Sequence, residues 1–291
     1  MTSTNNRLGI GLMALTMLVF ALQDGLSRHL ADAYSVQLVV MIRYWFFAAF
    51  VIALSARSEG GIRAATRTSQ PLLQIFRGVL LALEICVMVL AFTYLGLVES
   101  MAIFACYPLV VAALSGPVLG EHVGWRRWIA ILIGLVGVLI ILQPGVAVFS
   151  AASILPVASA AMFALYALLT RFAARKDSAA VSFFWTGVTG AVVMTGVGIW
   201  HWEPMTTYDS ILMAALCVSG ALGHWLLIKV YEVAEASAVQ PFAYLHIVFA
   251  ALVGMIFFQE VLTQNVAIGT AVVMAAGVFT LIRQSRNSDA G

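Results

Sequence analysis

Arg77–Glu99 reads RGVLLALEICVMVLAFTYLGLVE, and this stretch decides the class of fold. It is long and apolar enough to cross a bilayer as a helix, which takes about 20 residues at ~1.5 Å each. Near its middle stands Glu84, a carboxylate among Leu, Ala, Ile, Cys, Val and Met. An ionisable group at that depth costs roughly 2–4 kcal/mol on insertion scales, so it marks a pathway or a buried pair.

The chain around it is of the same kind. Hydrophobic residues make up 63% of the 291 and charged residues 10%, with mean hydropathy +1.01. A soluble globular domain carries about 45–50% apolar and about 25% charged residues, so the class is polytopic helical membrane protein. The net charge of +2 argues nothing for nucleic acid. Cys86, Cys106 and Cys217 all fall in apolar runs and read as small core hydrophobes, not as metal ligands or disulfide partners. The amino-terminal run MTSTNNRLGIGL lacks a signal-peptide cleavage pattern, because its apolar part continues to spanning length.

Ten spans are expected: Leu8–Ser27, Val36–Ser55, Leu72–Leu95, Ser100–Leu119, Trp128–Leu142, Ala151–Arg171, Ala179–Trp200, Ser210–Tyr231, Ala236–Phe258 and Val266–Ile282. The longest connection, Ala56–Pro71, leaves no room for a soluble domain. Trp125, Trp128, Trp200 and Trp202 stand at span ends, as interfacial anchors do. With the amino terminus inside, the cytoplasmic side receives Arg7, Arg57, Arg63, Arg67, Arg126, Arg127, Arg171, Arg175, Lys176, Arg283 and Arg286, and the opposite side only Arg28. That asymmetry supports ten spans with both ends cytoplasmic.

The chain also repeats itself. Phe20-Ala21-Leu22 and Arg28 recur as Phe163-Ala164-Leu165 and Arg171, and Ser35 recurs as Ser178. Gly120-Glu121 closes the fourth span and Gln259-Glu260 the ninth; Gly134 and Gly137 follow the first, Gly269 and Gly277 the second. Five spans per half is an odd number, so the halves 1–146 and 147–291 enter the membrane from opposite sides. The expected fold is all-α, two inverted five-helix repeats with the site between them near the midplane.

At this point a resemblance becomes specific. AFTYLGLVESMAIFACYPLVVAALSGPVLGE with GLVGVLIIL, and YEVAEASAVQPFAYLHIVFAALVGMIFFQE with GTAVVMAAGVFTLI, resemble the carboxy-terminal half of an EamA repeat. Arg43 in the second span matches an arginine common in that family. The resemblance covers nearly the whole chain and implies the ten-span EamA branch of the drug/metabolite transporter superfamily, with its bacterial exporters of aromatic amino acids as the nearest likeness. The halves depart from one another: Gln259 stands where Gly120 does, and Thr186 is the counterpart of Arg43.

Several polar groups at depth are candidates. Glu84 is either a cavity acceptor for a substrate ammonium, a proton carrier, or the buried partner of Arg77 or Arg43. Arg43 cannot lose its proton and needs an anion or several carbonyls. Asp24, beside Gln23, is its nearest carboxylate by depth; a structural Asp24–Arg43 or Asp24–Arg28 pair is expected, the second lying at i, i+4 on one helical face. His224, Trp225 and His246 are substrate contacts or interhelical hydrogen bonds, and Lys229 snorkels to the interface. Tyr107, Tyr166, Trp185 and Tyr244, with Met88 and Met162, form an adaptable apolar lining for a planar substrate. Pro108 and Pro241 break the fourth and ninth spans and are gating candidates.

The expected function is a secondary transporter exporting amino acids, aromatic ones preferred, by alternating access. Its partners are the substrate and the lipid bilayer; no cofactor or metal is implied, and a monomer is expected. Export of lipophilic cations on Glu84 alone is the alternative. An intramembrane enzyme is disfavoured because the chain offers no HExxH, no GxSxG and no paired carboxylates at catalytic spacing.

Overall fold

The computed structural model describes residues 6–119, 124–142, 151–234 and 239–288, and these are helical with no strand among them. Gly120-Glu121 and the expected start of the ninth span at Ala236 lie outside the described residues. In chain order the helices are α1 (Asn6–Ala33), α2 (Val36–Arg57), α3 (Gly61–Thr66), α4 (Pro71–Phe104), α5 (Tyr107–Leu119), α6 (Trp125–Leu142), α7 (Ile154–Ala173), α8 (Ala179–Gly198), α9 (Thr207–Val233), α10 (Leu245–Phe258) and α11 (Gln264–Ser288). A 3-10 turn, Gln240–Tyr244, leads into α10.

Six of these are long and apolar enough to cross a membrane: Arg7–Ala33, Val36–Arg57, Pro71–Phe104, Ala151–Ala173, Ala179–His201 and Thr207–Leu227. Shorter apolar helices cover Tyr107–Val118, Trp128–Leu142, Phe242–Phe258 and Gln264–Phe279. Trp125, Trp128, Trp200 and Trp202 are exposed at element ends, as interfacial anchors should be.

The helix starts follow local chemistry. The Ser35 hydroxyl accepts from the Leu38 amide at 3.3 Å, and the Ser178 hydroxyl accepts from the Val181 amide at 3.3 Å. The two serines that recur in the sequence are therefore the N-caps of α2 and α8, each satisfying an orphan amide of the first turn. Thr206 caps α9 in the same way, accepting from the Asp209 amide at 3.1 Å.

The stretch quoted first breaks where a span end is expected. The third span is expected to end at Leu95, and the helix that starts at Pro71 breaks at Gly96, with φ 82° and ψ 175°, before a second helical segment runs on to Phe104. Such angles are open essentially to glycine alone. The restarted helix is capped from the other end of the chain: the Leu97 and Val98 amides donate to the two Glu260 carboxylate oxygens at 2.8 and 2.7 Å. A carboxylate on fresh helix amides is favoured by hydrogen bonding and by the helix dipole together. Glu260 also pairs with Arg28, whose guanidinium lies 4.1 Å from the Phe258 ring centroid.

A second break, at Ala105–Cys106, separates α4 from α5 and puts Pro108 in the first turn of α5, where its missing N–H removes no helix bond. The 3-10 turn containing Pro241 interrupts the corresponding place before α10. Both prolines stand at breaks, as expected.

The most extensive packing joins helices of residues 6–142 to helices of residues 151–288. α1 lies along α9 and α10, α2 along α8, α4 along α7 and α8, α5 along α7, and α6 along α11. α6 and α11 meet through glycine. A Cβ on Gly137 would sit 2.9 Å from the Gly269 carbonyl oxygen, and one on Gly269 would sit 2.6 Å from the Gly137 carbonyl oxygen. Backbone-to-backbone approach of this kind is how apolar helices gain van der Waals contact where lipid removes the hydrophobic drive. The three cysteines are unbridged, Cys106 and Cys217 being buried.

Candidate substrate cleft

Between α2, α4 and α9 the structure opens a narrow cleft of about 40 Å³, lined by Arg43, Tyr44, Phe46, Phe47, Leu81, Ile85, Cys217, Gly220, Ala221 and His224. Arg43 is half-buried and makes no hydrogen bond or ion pair among the described residues. Tyr44 is 2% exposed, and its hydroxyl has no partner among them either. Gln23 is 5% exposed with Oε1 unpartnered; that oxygen lies 3.1 Å from where a Cβ on Gly220 would be. Buried polar groups are normally satisfied, so the two buried orphans, Tyr44 in the cleft wall and Gln23 beside Gly220, together with the half-buried Arg43, are a chemical signature.

His224 sits in an aromatic box. Its ring centroid lies 5.7 Å from that of Phe20 at 66°, 5.8 Å from Phe47 at 24°, and 5.8 Å from Phe183 at 73°. Phe20 also meets His246 at 6.0 Å. A second aromatic group gathers around Phe163, which meets Tyr107 at 5.0 Å, Phe104 at 5.6 Å and Tyr166 at 6.1 Å. The phenylalanines of the recurring Phe-Ala-Leu fall one in each group, Phe163 at the centre of the second and Phe20 between His224 and His246 in the first.

Glu84 is 4% exposed and turns towards α7, where the Ser159 hydroxyl donates to its Oε1 at 2.6 Å. The cleft wall on its own helix is Leu81 and Ile85, not Glu84. The expected Glu84–Arg77 and Glu84–Arg43 pairs are not formed. Arg77, 1% exposed, donates to Gln74 Oε1 and, through Nε and Nη2, to the Thr170 hydroxyl at 3.1 and 2.8 Å, with its guanidinium 5.1 Å from the Tyr166 ring. Neutral acceptors and a ring face disperse the charge without a carboxylate.

Asp24 is corrected in the same way. Its carboxylate accepts from His246 Nε2 at 2.8 Å, a pair linking α1 to α10, and neither Arg43 nor Arg28 is its partner. Arg28 is taken by Glu260 instead. The i, i+4 pair was the cheaper local choice, but two helices arriving from elsewhere offered better-placed partners.

The other candidates divide. Met162 lies on the α7 face that carries Ser159 and Tyr166, beside the Phe163 group. Met88 is core, 7% exposed. Trp225 is 50% exposed on the outer side of α9, with the Lys229 ammonium 5.9 Å from its ring, so the indole expected opposite Glu84 faces outwards. Trp185 donates through Nε1 to the Thr66 carbonyl at 3.3 Å, far in sequence from the cleft residues and beside α3. Tyr244 is 6% exposed against Gly277 and Val273, away from the cleft lining. Ser159, Tyr44, Phe20, Phe47 and Phe183 were missed. Of these only Phe20 carried a signal, through its recurrence as Phe163.

At one end of the bundle a polar knot ties the halves together. Asp177, in the α7–α8 connection, accepts from the Thr68 hydroxyl at 2.5 Å, the Ser69 amide at 3.1 Å and Gln74 Nε2 at 2.8 Å. Burial pushes its carboxyl up, but the hydrogen bonds from Thr68, Gln74 and Ser69 outweigh it and hold the pKa below the usual carboxylate range.

A bundle of apolar helices, broken at glycine and proline and enclosing orphan polar groups beside aromatic rings, defines a multi-pass membrane transport protein. The EamA-like transporter family model matches residues 7–143 and again residues 150–282, and the chain belongs to this family of the drug/metabolite transporter superfamily. It is accordingly a multi-pass inner-membrane transporter and not an enzyme. It is 22% identical over 279 residues to the S-adenosylmethionine uptake transporter of Rickettsia prowazekii, covering 96% of this chain and 94% of that one. With the riboflavin transporter of Vibrio cholerae it shares 28% identity over 276 residues, 93% and 92% of the two chains. A solved crystal structure matches with TM-score 0.62 at 17% identity over 98% of this chain and all of the other, a likeness of fold alone.

Proposed function

We propose that the chain is a secondary carrier for a small zwitterionic metabolite with a planar ring system, S-adenosylmethionine foremost, moved across the inner membrane by alternating access. The observation that carries this reading is the cleft itself, where unpartnered polar groups stand beside an aromatic box around His224. A ring system suits the box. Full-length similarity to S-adenosylmethionine uptake transporters supports the same substrate class.

The moving parts are two inverted five-helix halves, residues 1–146 and 147–291, in a ten-span arrangement with both ends cytoplasmic. The N-caps Ser35 and Ser178, the recurring aromatic residues Phe20 and Phe163, and the exchange symmetry of the packing support this: α1 with α9 corresponds to α7 with α4, and α1 with α10 to α7 with α5. Export of aromatic amino acids is a second reading, resting on the same cleft, since an indole or phenyl ring would pack against its aromatic wall of Phe47 and His224 equally well.

Counterflow in proteoliposomes tests both. Vesicles preloaded with unlabelled S-adenosylmethionine should accumulate the labelled compound well above empty vesicles, with riboflavin and tryptophan as competitors. Accumulation of labelled tryptophan but not of S-adenosylmethionine would replace the first reading by the second; accumulation of neither would end both.

A further inference from the structure

We infer that Arg43, with the Tyr44 hydroxyl beside it, is the anchor for a carboxylate group of the ligand. This deepens the carrier reading above and rests on it for the location of the ligand.

The inference comes from accounting for charge. A guanidinium keeps its proton in any protein environment, so one held in an apolar bundle needs an anion or a set of neutral acceptors. Among the described residues no carboxylate pairs with Arg43 directly. Asp24 is held by His246 at 2.8 Å, Glu260 by Arg28 and two backbone amides, and Glu84, which acts on Arg43 only through space, bonds Ser159 at 2.6 Å. Among the described residues Arg43 has no hydrogen bond or ion pair, yet it lines the cleft. The other deep arginine, Arg77, shows what a structural arginine looks like here: 1% exposed, wrapped by Gln74, Thr170 and the Tyr166 ring. Arg43 has been given none of these.

Tyr44 is the second, independent observation. It is 98% buried by its 2% exposure, packed against Gly190, where even a Cβ would collide with its ring, and it ends in a hydroxyl without a partner. Leaving such a donor unmade is unfavourable, a cost that a ligand oxygen would remove. Both groups donate only to acceptors, and a carboxylate offers two oxygens to a forked guanidinium and a hydroxyl at once. The Gln23 carbonyl, the orphan acceptor at Gly220, is left for a donor elsewhere on the same molecule, such as an ammonium.

The test compares ligands that differ only in the charged end. Purified protein in detergent is melted with indole-3-acetate, which has the carboxylate and no amine, and with tryptamine, which has the amine and no carboxylate. Tryptophan and S-adenosylmethionine serve as ligands with both. Indole-3-acetate should raise the melting temperature of the wild type, and Arg43→Gln should need at least tenfold more of it while its response to tryptamine stays within twofold. Tyr44→Phe, which removes only the hydroxyl, should shift the same concentration a few-fold in the same direction. Arg43→Lys, which keeps the charge and the fold, should recover part of the response, and it serves as the reporter if Arg43→Gln does not fold. A wild type indifferent to indole-3-acetate, or variants that weaken both ligand types alike, would overturn the anchor. Because this readout is binding, failure of S-adenosylmethionine counterflow would overturn the substrate assignment without touching it.

Discussion

Glu84 was legible as an anomaly because a carboxylate inside an apolar span stands out in any hydropathy reading. Its partner was not, because Ser159 lies 75 residues away and small hydroxyl residues are common in membrane helices. The same holds for Asp24 and His246, 222 residues apart. Spacing along one helix shows which residues share a face but not which neighbour that face meets, so the local Asp24–Arg28 pair was the natural wrong choice. Replacing Ser159 by Ala leaves a buried carboxylate short of its hydrogen bond. We expect a loss of about 1–3 kcal/mol, seen as a lowered melting temperature in detergent, and removal of most of that loss in the Glu84→Leu background, where no carboxylate remains to be satisfied. A Ser159→Ala protein that melts like the wild type would mean that Glu84 does not depend on that hydroxyl.

At the scale of elements, the helical pattern, the N-cap serines and the two proline breaks could all be read from the sequence. So could the end of the third span, since the helix breaks at Gly96, the residue after the expected end at Leu95. The cap could not: Glu260 arrives from the far end of the chain to hold the amides of the helix that restarts at Leu97. Gly96→Ala should therefore be costly twice over: its φ of 82° with ψ of 175° excludes a side chain, and the added Cβ would sit 2.5 Å from the Glu260 carboxylate. We expect at least about 2 kcal/mol of destabilisation. Gly61→Ala is the control, since Gly61 also has positive φ, 60°, but open space around it. Equal melting of the two variants would show that the contact with Glu260 contributes nothing.

On the scale of the whole molecule, the contacts that tie the two halves lie at both ends of the bundle. Arg28, Glu260 and the α4 restart form one latch, and Asp177 with Thr68, Ser69 and Gln74 forms the other. Alternating access requires one such end to part in each half-cycle. Cross-linking Arg28→Cys to Glu260→Cys, with Cys86, Cys106 and Cys217 replaced by Ala, should hold the first end shut and stop counterflow, and reductant should restore it. Undiminished counterflow at complete cross-linking would show that this end need not open.

Hydropathy and the placement of Lys and Arg determine a great deal on their own: that the chain lives in a bilayer, roughly where its apolar helices lie, and which polar groups stand at depth. These follow because lipid forbids unsatisfied backbone and taxes every charge, so composition alone carries the signal. The tertiary structure decided the pairings: Asp24 with His246, Glu84 with Ser159, Glu260 with Arg28 and the amides after Gly96, and Arg43 with no hydrogen bond or ion pair among the described residues. A buried charge can be paired by any helix that packs against its own, and that choice is made by interhelical geometry, which no periodicity along one helix encodes.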